Sequence, residues 1–155
     1  MKYCYNKKLM IEINVLSLPV GISEQKFQWV IRKDEYDFFN EDVYINGFFH
    51  INNIHGRQIE FNGKIEFEIQ LVCDRCLKKF KKKIEENVIF ILKKDYIGDD
   101  IDIISFNDFY CNITDFVKDL VITSLPIKVL CDENCKGICP GCGVNLNEEK
   151  CKCNL

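Results

Sequence analysis

The sequence predicts an α+β protein, mainly antiparallel β, with a curved sheet, one C-terminal helix and a cysteine-rich zinc-knuckle tail. Three observations carry this. Ile, Val, Phe and Tyr dominate the apolar residues and alanine is absent, a mix that suits pleated, half-buried surfaces. Several stretches alternate apolar and polar residues, the period of a strand. Eight of the ten cysteines fall in close pairs, six of them after residue 130. A chain of 155 residues, 47 % hydrophobic, fits one packed domain with a small appendage. We read residues 1–126 as a β-rich domain with one helix, and 127–155 as a metal-binding tail packed on it.

The elements follow in order. Lys2, Lys7 and Lys8 precede Leu9-Met10-Ile11, but Glu12 and Asn14 break the run and no small-residue cleavage site follows, so a signal peptide is not expected. Ile11, Ile13 and Val15 instead open a strand running to Leu18, before Pro19-Val20-Gly21. Phe27–Ile31 and Val43–His50 are the second and third strands. Ile59 to Val72 is the clearest: Ile59, Phe61, Ile65, Phe67, Ile69 and Leu71 alternate with polar residues, and Gly63 suggests a bulge or bend. Phe80 to Leu92 is the next strand. Residues 95–111 are acidic and read as loop. Then Asn112 or Thr114 caps a helix with Asp115 in its first turn. Phe116, Val117, Leu120 and Val121 form its apolar face, and Pro126 ends it.

No apolar run approaches the roughly 20 residues needed to span a bilayer, so no membrane partner and a cytoplasmic location are expected. In that compartment ten cysteines point to metal ahead of disulfides. The spacing agrees, because thiols two or three residues apart close only strained disulfide rings yet suit a tetrahedral thiolate site. The signal is strongest at Cys139-Pro140-Gly141-Cys142-Gly143. Two thiolates bind one ion there, while the following glycine takes positive φ and aims backbone N–H groups at the sulfurs. The second pair is Cys151/Cys153 or Cys131/Cys135; we group Cys139, Cys142, Cys151 and Cys153. Four sulfurs leave no open position, so the zinc expected there is structural. Cys73/Cys76, at the end of the long strand, would make a second site with Cys131 and Cys135. Cys4 and Cys111 read as packing residues.

The net charge of −3 argues against a generally basic nucleic-acid binder, but it hides a pattern. Residues 64–83 carry 7 bases and 3 acids; residues 84–120 carry 3 bases and 9 acids. Arg75, Lys78, Lys79, Lys81, Lys82 and Lys83 crowd into nine residues. In a strand, Lys79, Lys81 and Lys83 share one face at roughly the 6–7 Å scale of successive phosphates. They suit nucleic-acid binding; equally, they suit a solvated strand that resists aggregation. No Ser/His/Asp set, phosphate loop or paired carboxylates are legible, and His50 and His55 take no role. A thioredoxin-type role for Cys73 and Cys76 would need a helix opening at the first cysteine, where a returning strand is expected.

Leu71-Val72-Cys73-Asp74-Arg75-Cys76-Leu77, with Phe80 after two more residues, resembles the central motif of the YceD family, described as large ribosomal RNA accumulation proteins. The tail, with Cys135-Lys136-Gly137-Ile138-Cys139-Pro140-Gly141-Cys142-Gly143-Val144-Asn145-Leu146-Asn147 and Cys151-Lys152-Cys153, resembles that of its cysteine-rich members, and the helix ending at Leu125-Pro126 sits where the family has one. Some members lack the tail cysteines. The resemblance implies a non-enzymatic role in accumulation of large-subunit (23S-type) ribosomal RNA, with ribosomal RNA or large-subunit ribosomal proteins as partners and no small-molecule substrate. Two alternatives stand beside RNA contact. One is a zinc-containing adaptor whose acidic segment 95–119 meets a basic ribosomal protein; the other is a thiol oxidoreductase.

Overall fold

The computed structural model describes residues 10–35 and 39–153; Cys4 lies outside them. Five strands form the main sheet: β2 (Gly21–Ile31), β3 (Val43–Ile54), β4 (Gln58–Val72), β5 (Lys79–Lys94) and β6 (Ile103–Phe106), in that spatial order. β2 to β5 are antiparallel neighbours joined in sequence. Two short strands, β1 (Glu12–Asn14) and β7 (Tyr110–Asn112), pair separately. The helix α1 spans Thr114–Thr123. The expected class is therefore observed: a mostly antiparallel sheet with one C-terminal helix. No helix among the described residues is long and apolar enough to cross a membrane.

The alternation read from the sequence becomes the two faces of this sheet. Ile45, Phe49 and Ile51 on β3, Ile59, Phe61, Ile65, Phe67 and Ile69 on β4, and Ile84, Val88, Phe90 and Leu92 on β5 are all buried. At their centre the Phe61 and Phe90 rings stack at 4.4 Å, with Phe49 edge-on to both. The helix joins this cluster through Phe116, 4.9 Å from Phe90. Val117 and Val121 are fully buried beneath it. The predicted apolar stripe of the helix is the packed one.

Four local readings change. The first strand is only three residues, because Asn14 accepts a hydrogen bond from Leu16 N and turns the chain into a 3₁₀ turn at Val15–Ser17. The acidic stretch is not all loop: it holds β6, which runs parallel to β5, and β7. Three or four residues are too few for periodicity to show. Neither expected residue is the N-cap, which is Ile113, whose side chain makes no capping bond. Asn112 Oδ1 accepts from Thr114 N, whereas Thr114 Oγ1 accepts from Ile11 N and ties the helix start to β1. Gly63 makes no bulge, since pairing runs unbroken through it on both sides.

Gly63 has another reason to be glycine. A Cβ there would lie 2.0 Å from the Phe48 carbonyl oxygen and 2.7 Å from Phe49 Cα. Backbone atoms in the middle of a paired strand cannot move aside. Gly63→Ala should therefore lower the unfolding free energy by about 3 kcal/mol, the upper end of overpacking costs, read from the urea midpoint at unchanged slope.

Candidate metal centres

The turn between β4 and β5 is Cys73-Asp74-Arg75-Cys76-Leu77-Lys78. Its backbone closes by Cys73 N to Lys78 O at 2.9 Å and Leu77 N to Cys73 O at 2.9 Å. In the tail, Cys139 N bonds to Val144 O and Gly143 N to Cys139 O, both also at 2.9 Å. The same knuckle is thus built twice, with identical offsets from the first cysteine. The residue after the second cysteine takes positive φ in both, 73° at Gly143 and 57° at Leu77. The glycine in the tail announced this turn in the sequence; Leu77, an L-residue in a conformation costing about 1–2 kcal/mol, did not.

Each knuckle meets a second pair of thiols. Cys73, Cys76, Cys131 and Cys135 form one group, and Cys139, Cys142, Cys151 and Cys153 the other, with all sulfurs of a group within 4.8 Å of one another. The structure brings together both sets expected from spacing. The nine described cysteines are free thiols, and Cys111 is a buried packing residue. Sulfur separations are 3.8 Å for Cys73–Cys135 and 3.5 Å for Cys76–Cys131. In the second group they are 3.4 Å (Cys139–Cys151), 3.7 Å (Cys139–Cys153) and 4.0 Å (Cys142–Cys151). A tetrahedron with metal–sulfur bonds of ~2.3 Å has edges of about 3.8 Å, so both groups fit a metal ion.

The surroundings suit thiolates. Burial pushes the Cys73 thiol up, but the backbone N–H groups of Cys131, Cys76 and Arg75 outweigh it and bring it down to about 6. The backbone N–H groups of Val144 and Lys152 likewise bring Cys142 down to about 6. The backbone N–H groups of Cys142 and Gly141 lower Cys139 as well, whereas Cys131 and Cys153 are pushed the other way. Burial and the neighbouring thiols of Cys76, Cys73 and Cys135 push Cys131 up to about 12. Crowding by Cys151, Cys139 and Cys142 does the same to Cys153, again about 12. Each group thus sets readily formed thiolates beside reluctant thiols. A dication relieves that repulsion and displaces the protons.

The first centre holds the tail on the sheet. Cys73, Cys76 and Cys135 are buried together, with Phe80 and Leu130 against them. Asp74 N donates to Val129 O and Val129 N to Asp74 Oδ2, both at 2.8 Å. Arg75 Nη1 donates to Cys135 O at 2.9 Å, and Ile138 N to Arg75 O at 3.0 Å. Asn147 joins the two centres. It lies in the loop between Cys142 and Cys151, yet its Nδ2 donates to Cys135 Sγ at 3.3 Å and its Oδ1 accepts from Lys136 N at 2.8 Å. Its place within a chain of cysteines was the only signal, and asparagine alone does not report a sulfur partner.

The basic residues lie beside this centre. Lys79, Lys81 and Lys83 do share the exposed face of β5, but most of the block is already engaged. Lys81 pairs with Glu68 at 3.2 Å and Glu41 at 3.5 Å; Lys83 pairs with Glu66 at 2.9 Å and Glu85 at 3.1 Å. Hydrogen bonds and charges from those carboxylates raise both ammonium pKa values. Lys78 faces Glu148 at 3.8 Å, and Arg75 is bound to the tail. Lys79 and Lys82 make no ion pair among the described residues. Glu66 and Glu68, on the neighbouring strand β4, are part of the neutralising set.

Fold and centres together define a class: an antiparallel sheet with one helix, whose C-terminal tail is fastened by paired four-cysteine centres. The family model for "Large ribosomal RNA subunit accumulation protein YceD" matches residues 61–154, and the chain belongs to that family. The match takes in both knuckles, the helix and every tail cysteine. A 42-residue stretch is 45 % identical to an Arabidopsis thaliana protein, "Large ribosomal RNA subunit accumulation protein YCED homolog 1, chloroplastic"; it covers 27 % of this chain and 13 % of that one. No solved structure matches.

Cobalt(II) titration should find two tetrahedral sites per chain, and Cys73→Ser/Cys76→Ser should leave one. Because at least one thiol in each group must lose a proton to bind, affinity should rise with pH between 6 and 8 by at least about tenfold per unit.

Proposed function

We propose that this chain is a non-enzymatic factor that supports accumulation of large-subunit ribosomal RNA, and that two structural zinc ions hold its tail in the shape its assembly partner recognises. The observation that carries this reading is the pair of closed four-sulfur sets at the junction of sheet and tail, in a chain of the YceD family. Four thiolates complete a tetrahedral ion and leave no position for water or substrate, so the metal's part is to fix a surface. All-sulfur tetrahedral sites select zinc or iron; zinc is our assignment because the sites are closed and nothing near them implies electron transfer. The cytoplasm is the compartment we assign, since it keeps such thiols reduced.

Direct phosphate binding by the basic block is the weaker of the two modes. Arg75, Lys78, Lys81 and Lys83 already have carbonyl or carboxylate partners, which RNA would have to displace. A protein partner is the mode that the charge pattern supports. Thiol redox chemistry is weaker still: Cys73 lies in the turn between two strands instead of at a helix N-terminus, and its sulfur has three close thiol neighbours.

In cells depleted of the native protein, wild-type chain should restore the ratio of large- to small-subunit ribosomal RNA. Cys139→Ser/Cys142→Ser and Cys73→Ser/Cys76→Ser should not, and protein purified without added metal should carry two zinc ions per chain. No effect of depletion on that ratio would sink the reading.

Affinity for a large-subunit ribosomal RNA fragment should be weak and should show a shallow salt slope, changed by less than one unit in Lys79→Ala/Lys81→Ala/Lys83→Ala. A steep slope that the triple variant flattens would restore RNA contact as the working mode.

A further inference from the structure

Away from the cysteines, an open groove of about 570 Å³ runs between α1, the start of β6 and the edge of β5. Its floor is apolar: Phe116 and Leu120 from the helix and Ile104 from β6. Its lips are apolar too, and they stand in solvent, with Ile89 62 % and Ile101 88 % exposed. The charged side chains that line it are both acids, Asp102 and Asp119. Neither carboxylate has a side-chain partner among the described residues. Asp99 and Asp100 lie in the same exposed loop as Ile101.

Two features say what would cover it. The first is strand chemistry. β6 pairs only with Ile91–Lys94 of β5, so the edge of β5 before Ile91 has no strand partner among the described residues. Three consecutive residues, Asn87, Val88 and Ile89, line the groove. Side chains of consecutive strand residues point to opposite faces, so the groove meets the strand at its edge, where unpaired N–H and C=O groups offer a template for another chain. The second is charge. The segment 84–120 has an excess of six acids over bases, and no lysine or arginine lines the groove.

We propose that this groove is a docking site for an extended, basic polypeptide segment with apolar residues at alternate positions. Such a segment adds a strand to the open edge of β5 in line with β6, seats side chains of one face on Phe116 and Leu120, covers Ile89 with those of the other face, and sets its cations against Asp102 and Asp119. A small molecule would leave the exposed lips wet, whereas a chain lying across both removes them from water. The proposal rests on the reading that this protein works through a protein partner, and locates where that partner is gripped.

The probe is a fluorescein-labelled ten-residue peptide alternating lysine and valine, added to the zinc-loaded full chain and followed by anisotropy. It should bind at least about tenfold tighter than the glutamate–valine peptide. N-methylation of alternate backbone nitrogens should abolish binding. Ile89→Ser/Ile101→Ser and Asp102→Asn/Asp119→Asn change exposed side chains and should each weaken it about tenfold. Equal binding of the two peptides, or unchanged binding in both variants, would overturn the site. An RNA oligonucleotide bound by the wild type and lost in these variants would overturn it in favour of nucleic acid. The variants are then tested for restoring ribosomal RNA in depleted cells. Rescue by wild type and not by the variants supports the proposal, and full rescue by the variants removes the groove from the function while leaving the ribosomal RNA reading intact. Failure of wild type to rescue overturns that reading alone, because peptide binding is scored separately.

Discussion

The tail of this protein has almost no core of its own, and its place depends on one cluster of four sulfurs. Cys73 and Cys76 come from a turn whose position is fixed by fifteen paired positions between β4 and β5. Cys131 and Cys135 come from a segment with few buried apolar residues. What they share is a set of four sulfurs within 4.8 Å of one another, the spacing a metal ion needs. The hydrogen bonds of Asp74 and Arg75 to Val129 and Cys135 then set the angle at which the tail leaves the sheet. The second centre is built against the first through Asn147.

The sheet is a separate achievement, and an ordinary one energetically. Burial of large apolar side chains from three adjacent strands and the helix supplies its driving force. The exposed face of β4 and β5 is laced by lysine–glutamate pairs whose individual contributions are small because they are exposed. Their main effect is on the surface potential: a row that looks polycationic in sequence is close to neutral in space. Near the helix the charged side chains that line the groove are the acids Asp102 and Asp119.

Much of this was legible before the structure. Strict alternation from Ile59 to Leu71 survives because a one-residue slip would put every one of those side chains into water. Both four-cysteine groups were legible too, since tetrahedral chemistry constrains spacing more tightly than folding does. What escaped was tertiary. β6 is four residues long and exists because β5 lends it an edge; β1 stops at Asn14 because one side chain turns the chain. Gly63 looked like a bulge because glycine's usual meanings are local, whereas its cause is the carbonyl of Phe48 on the neighbouring strand. The lysine block misled for a similar reason: its partners Glu68 and Glu66 lie 13 and 17 residues before Lys81 and Lys83, but facing them requires knowing the register.

The two centres also differ in reach. The two cysteine pairs of the second are brought together across 9 to 14 residues, those of the first across 55 and 62. Gathering 62 residues instead of 12 costs about 1.5 kcal/mol more in loop closure, and the longer span is also where contacts form slowly. The tail set can therefore come together as a short local fold, while the other four sulfurs converge only after β4, β5 and the helix have found their places. A metal ion held at that longer-range centre would in effect record that the whole chain has folded, at the point where tail and sheet meet.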